Sequence, residues 1–129
     1  MRVLVDTSAW IHALKKEGKE QIRLSVKNCL DDGLACLCQP VLIELWNGAR
    51  GPTEKRMLQE LQTVLEVLPT SEEAWSLAYR LAARTRSRGI TVPAIDILIF
   101  SIALVEETNV LHDDSHFEKL AGLEKRQLR

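Results

Sequence analysis

The stretch MRVLVDTSAW, residues 1–10, decides how the rest of the chain is read. A short apolar run, Arg2 to Val5, stops at Asp6. Thr7 and Ser8 then offer hydroxyls of the kind that cap a helix, here one over Ala9 to Leu14. Strand, tight turn and helix thus follow one another at once, with an acid at the junction.

Working outward, Ile22, Val26 and Leu30 recur every four positions after Gly18, and Gly33 follows Asp31 and Asp32 as a stop, predicting an amphipathic helix. Leu34 to Leu37 reads as a short strand. Pro40 suits the first turn of a helix over Val41 to Trp46, closed by Gly48. Met57, Leu58, Leu61, Val64 and Leu65 predict a helix over Lys55 to Glu66, followed by a brief strand at Val67 and Leu68 that Pro69 ends. Thr70 and Glu73 have capping-box spacing for a long helix reaching Arg88 before Gly89. Ala94 to Glu107 is apolar on nearly every face, as in a helix buried among other elements. Val110 and Leu111 give a last strand, ahead of the polar segment His112 to His116 and a helical Phe117 to Leu120. The alternation predicts a single α/β domain with a central, mainly parallel sheet flanked by helices.

Composition narrows the function classes. The 129 residues suit one domain, and 46% hydrophobic with 27% charged residues is an ordinary globular balance. A net charge of -1 provides no general basic field, so a polyanion partner must be held locally. The longest apolar run, Ile97 to Val105 interrupted by Ser101, is far below the roughly 20 residues that span a bilayer. With an acid already at position 6, the start is expected to lack the apolar stretch and cleavage site of a secretory signal, and a cytoplasmic location is expected. Cys29, Cys36 and Cys38 lack a C-x-x-C pair and are expected to be reduced, buried thiols.

The acids are the chemical signal. In open parallel sheets the functional crevice lies beyond the carboxyl ends of the strands, and Asp6 and Asp114 both follow strand segments. Asp96 stands in the first turn of an almost wholly apolar helix, and Glu44 is isolated within Val41 to Trp46. A buried carboxylate costs several kcal/mol unless a cation offsets it. Oxygen-only ligands favour magnesium or manganese, where zinc recruits His or Cys. Each acid also has a plainer reading: Asp6 as a turn or cap residue, Asp96 complementing its helix N-terminus, Glu44 pairing with Arg50, Asp114 as an ordinary loop acid.

Four blocks, VLVDTSAWI at Val3 to Ile11, IELWNGA at Ile43 to Ala49, PAIDILIFSIAL at Pro93 to Leu104 and HDDSHF at His112 to Phe117, resemble in order and spacing the PIN-domain proteins, and within them the VapC-type toxins of toxin-antitoxin pairs. The resemblance extends nearly end to end and implies one PIN domain over residues 1–129. It implies that Asp6, Glu44, Asp96 and Asp114 are catalytic metal-site acids, with Thr7 or Ser8 as the hydroxyl that orients the first acid. The last block departs from the family form, with His112 and His116 where a Thr and often an Asp stand. Asp113 competes with Asp114 as the fourth acid, and Phe117 three residues on favours Asp114 by register.

The activity so implied is magnesium- or manganese-dependent hydrolysis of RNA by water, with one or two ions held by Asp6, Asp96 and Asp114, and Glu44 bound directly or through water. Arg80, Arg84 and Arg88, spaced by four, are candidates for holding the RNA backbone, with a solvated helix face as the plainer reading. His116 could bind metal or contact the scissile phosphate of RNA, with a solvated or hydrogen-bonded loop histidine as the plainer reading. Trp10, Trp46 and Trp75 have apolar neighbours at helical spacing and are expected in core or subunit packing. A homodimer and an inhibitory antitoxin are implied by resemblance alone. The alternative is a PIN-like module that binds RNA or a partner without useful catalysis.

Overall fold

The computed structural model describes residues 1–15 and 17–127. The elements run β1 (Val3–Val5), α1 (Thr7–Leu14), α2 (Glu20–Asp31), β2 (Ala35–Cys38), α3 (Gln39–Gly48), α4 (Pro52–Val64), β3 (Glu66–Leu68), α5 (Glu72–Ser87), α6 (Ala94–Val105), β4 (Asn109–Leu111) and α7 (Ser115–Gln127). The four strands form one sheet in the order β3-β2-β1-β4, and every pairing is parallel.

The chain first moves from β1 outward through β2 to β3, then returns past β1 to place β4 on its other side. Connections leaving β1 and β4 therefore diverge, which opens a crevice at the carboxyl ends of those two strands. Val5 is paired with Leu111, and the Asp6 N–H donates to the Leu111 carbonyl at 2.9 Å, so the residues after β1 and β4 emerge side by side. This is the strand pair whose ends carry Asp6 and Asp114.

Leu4, Val5, Leu37 and Leu68 from the strands are buried with Trp10, Val26, Leu81, Ile99, Ile102 and Leu120 from the helices. Fully burying side chains of this size stabilises by roughly 1.5–3 kcal/mol each. In α5 the buried residues are Ala74, Ala78, Leu81 and Thr85, a stripe of helical period that faces α6. Trp75 lies one position off that stripe and is 42% exposed, so of core and subunit packing it is the core that it does not join. Trp10 is in the core, and Trp46 is half-buried with its indole N–H donating to Gln62 at 2.9 Å.

Several boundaries shift for local reasons. Asp6, rather than Thr7 or Ser8, is the N-cap of α1, since its extended backbone and free carboxylate reach the Ser8 N–H. The cap of α5 is Ser71, whose hydroxyl accepts from the Ala74 N–H at 3.1 Å, and not Thr70. Helix α4 begins three residues earlier than expected, with Pro52 in its first turn. Helix α6 stops at Val105, and Glu107 closes it at φ 55, a left-handed conformation uncommon outside glycine. Helix α7 extends to Gln127 where the polar pattern suggested only Phe117 to Leu120.

The three cysteines are free thiols; Cys36 and Cys38 are buried and Cys29 is half-buried. Burial pushes the Cys38 thiol up to about 12, which makes it a poor nucleophile. No helix among the described residues is long and apolar enough to cross a membrane.

Candidate metal centre

Asp6 leaves the carboxyl end of β1 and turns straight into α1. Its Oδ2 accepts from the Ser8 N–H at 3.0 Å and from the Ser8 hydroxyl at 2.6 Å. Its Oδ1 is buried with no hydrogen-bond partner among the described residues, on a residue only 3% exposed. A buried carboxylate oxygen left without a donor costs of order 1–3 kcal/mol or more, which favours a cation at this atom.

Glu44 is brought alongside by α3, which packs on α1. The Thr7 hydroxyl donates to Glu44 Oε1 at 2.6 Å. The contact that orients Glu44 is therefore a hydroxyl rather than the Arg50 or other cation that the sequence left open; the Arg50 main-chain N–H donates to Glu54. Thr7 and Ser8 thus divide the work: one hydroxyl aligns Glu44, the other Asp6.

Asp96 enters from the first turn of α6, where Pro93 ends the extended segment before the helix. It is 6% exposed, and burial pushes its carboxyl up to about 6. A hydrogen bond from His116 works in the opposite direction, while the charges of Asp114, Asp6 and Glu44 raise it further.

Asp114 and His116 come from the turn after β4 and the first turn of α7. His116 Nδ1 lies 2.9 Å from Asp96 Oδ2 and 2.9 Å from Asp114 Oδ1, bridging the two carboxylates. Asp114 Oδ1 also accepts the His116 N–H at 2.9 Å, an N-terminal capping contact. Asp113 points elsewhere: its carboxylate meets His12 and Lys19, and those two donors hold it below the usual carboxylate range. His112 accepts the Asp114 N–H through Nδ1 at 3.2 Å, and its ring packs on Phe117 with centroids 4.9 Å apart.

Two groups of ligand atoms result, each with all members within 4.8 Å of one another: Asp6, Glu44 and Asp96, and Asp96, Asp114 and His116. Asp96 belongs to both. The donor set is carboxylate oxygen with one imidazole nitrogen; together with the unsatisfied Asp6 oxygen, it fits a divalent cation. His116, for which the sequence left metal binding or contact with the scissile phosphate open, stands inside this cluster.

Beside Thr7 and Glu44 a cleft of about 420 Å³ opens between α1, α3 and α4, floored by Leu45 and Leu58 and flanked by Ile11 and Met57. On α5, Arg80 and Arg88 are exposed and Arg84 is half-buried; this helix packs along α6, whose first turn holds Asp96.

Among solved structures, the fold is similar to VapBC2 from Rickettsia felis bound to a promoter DNA fragment, with TM-score 0.75, 17% identity and 92% of each chain covered. It is similar to VapBC-1 from nontypeable Haemophilus influenzae, with TM-score 0.74, 18% identity and 95% and 94% of the two chains covered. It is also similar to VapC20 from Mycobacterium tuberculosis, described as a Sarcin-Ricin loop cleaving toxin, with TM-score 0.68, 21% identity and 91% and 93% covered. No curated protein matches this chain in sequence. The PIN domain family model matches residues 3–123, nearly the whole chain, and the protein therefore belongs to the PIN domain family.

Proposed function

We propose that this protein is a magnesium- or manganese-dependent ribonuclease, the toxin of a toxin-antitoxin pair, acting in the cytoplasm. The observation that carries the reading is the convergence of Asp6, Glu44, Asp96 and Asp114 from four separate elements, with one buried Asp6 oxygen unsatisfied. A carboxylate cluster of this kind has no plain structural purpose, because assembling like charges in a buried site opposes folding.

When bound, a divalent cation here supplies a water of lowered pKa and neutralises charge on the scissile phosphate. The chain's own residues prepare for it. Ser8 fixes Asp6, Thr7 fixes Glu44, and His116 aligns Asp96 with Asp114. Glu44, less buried than Asp6 and Asp96, would orient the attacking water and accept its proton. Arg80, Arg84 and Arg88 would hold the RNA backbone against the repulsion of the acids.

The antitoxin enters this reading because structural neighbours were solved as VapBC complexes. The apolar cleft beside Glu44 is suited to a peptide segment that would shield the site, and a homodimer is the assembly we favour. Purified protein incubated with RNA should cleave it when magnesium or manganese is present, and Asp6→Asn should abolish cleavage while the fold is kept. Folded wild-type protein that cuts no RNA with either metal would overturn the assignment.

A further inference from the structure

Outside the cluster, three polar side chains from distant parts of the sequence meet at one point. Asp113 Oδ2 lies 2.8 Å from His12 Nε2 and 2.8 Å from Lys19 Nζ. The His12 Nδ1 accepts the Lys19 main-chain N–H at 3.0 Å. With Nδ1 accepting, the geometry directs the Nε2–H of His12 at Asp113.

The α1–α2 connection is built to allow this. A Cβ on Gly18 would fall 2.1 Å from the His12 carbonyl oxygen, so only glycine lets the chain fold back against the end of α1 and deliver Lys19. Arg23 donates to the His12 and Lys15 carbonyls and fastens the same corner.

The point of contact leads inward. The Asp113 N–H donates to Ser8 Oγ at 2.9 Å, and Ser8 Oγ donates onward to Asp6 Oδ2 at 2.6 Å. With its lone pair taken by Asp113, the Ser8 hydroxyl proton is directed at Asp6. The residue after Asp113 is Asp114, in the cluster on the other side of the same turn. One anchored turn thus orients two acids, one through a hydrogen-bond relay and one through the peptide chain.

We propose that His12, Lys19 and Asp113 form a clamp that positions Asp6 and Asp114 and sets divalent-cation affinity without contributing a ligand. The proposal rests on the reading of the acid cluster as a cation site. An exposed Lys–Asp pair alone contributes little. The clamp works through direction, since the imidazole and the main-chain N–H fix where the turn lies. Partners of this kind typically change metal affinity 10–100-fold.

Charge separates the clamp from a simple field effect. His12→Leu removes both imidazole hydrogen bonds and adds no charge of its own. Lys19→Met removes a cation near an acidic site, which by field alone would tighten cation binding. The test is calorimetric titration of the full chain with Mn2+ alone, for wild type, His12→Leu, His12→Gln and Lys19→Met, with melting of each metal-free protein as the check on folding. We expect His12→Leu and Lys19→Met each to weaken Mn2+ binding about tenfold, and His12→Gln, which retains a donor and an acceptor, to recover part of it. If His12→Leu melts early, Lys19→Met, at an exposed position, decides alone. Wild type that binds with variants that bind equally or more tightly would overturn the clamp while leaving the cation site standing. Wild type that takes up no Mn2+ would overturn both.

Discussion

Replacing Asp96 with Asn should make the metal-free protein more stable at neutral pH while removing its response to divalent cations. The carboxyl of Asp96 is raised from the ordinary 3.8 to about 6 because burial disfavours its charge. At about 1.4 kcal/mol per pH unit, ionising it in the folded protein costs about 3 kcal/mol relative to the unfolded chain. The sign follows from the folded group binding its proton more tightly than the unfolded one. Its favourable contribution is complete below 3.8, declines through the interval, and is lost above about 6. Asn keeps an acceptor for His116 and carries no charge, so the gap between variant and wild type should be near zero at pH 4 and about 3 kcal/mol at pH 7.5. For a chain of this length that is on the order of 10 °C in Tm. Asp113 does not disturb the comparison. Its lowered pKa gives stability that is present above the ordinary value and lost only as pH falls through the lower one. The assay is thermal unfolding in a chelator at several pH values, repeated with excess Mn2+, which should raise the wild-type Tm and leave the variant's unchanged. A variant less stable than wild type at pH 7.5 without metal, or a gap that does not grow with pH, would refute the reasoning.

The other expectations are simpler to check. Asp114→Asn should weaken Mn2+ binding about 100-fold and Asp113→Asn at most about tenfold, measured by calorimetry, because on the proposed reading only the first removes a ligand. His116→Asp should move the preference from Mn2+ toward Mg2+, read as the ratio of the two Kd values, since an imidazole nitrogen favours the transition metal and oxygen does not. Arg80→Ala with Arg88→Ala should reduce the slope of log K for RNA against log salt by about 2; an unchanged slope dismisses that helix as the RNA track. Leu81→Ala, at a fully buried position on α5, should cost about 2–5 kcal/mol in denaturant unfolding without changing metal affinity in the protein that remains folded.

The α/β alternation and the placement of Asp6 at a strand end were legible because both are local: an apolar run meeting an acid, then a helix. Asp96 was legible because an acid in an almost wholly apolar helix must be buried, and a buried carboxylate calls for a cation to offset its charge. The caps were less so. Asp, Thr and Ser all cap helices, and their order in Asp6-Thr7-Ser8 does not say which one turns the backbone. The choice of Asp114 over Asp113 rested on spacing to Phe117; in three dimensions the two side chains diverge from one turn, one toward His116 and the other toward Lys19. Apolar neighbours at helical spacing define a stripe only to within one residue, and on α5 Ala74 rather than Trp75 occupies it, which leaves subunit packing as the reading of Trp75 that the sequence offered. The His12–Asp113 contact spans 101 positions and leaves no periodic trace for sequence reading to find.

Asp6 is at once the first residue beyond β1, the cap of α1 and the owner of the unsatisfied oxygen. Its two oxygens serve different masters: Oδ2 holds the helix, and Oδ1 faces whatever the site receives. An alanine at this position would therefore fray α1 as well as disarm the centre, and a lost phenotype in a cell would not reveal which had happened. Asparagine caps helices about as well as aspartate. Among substitutions at residue 6 it is the one that separates the anchor from the chemistry, and a growth assay with that variant reads the chemistry alone.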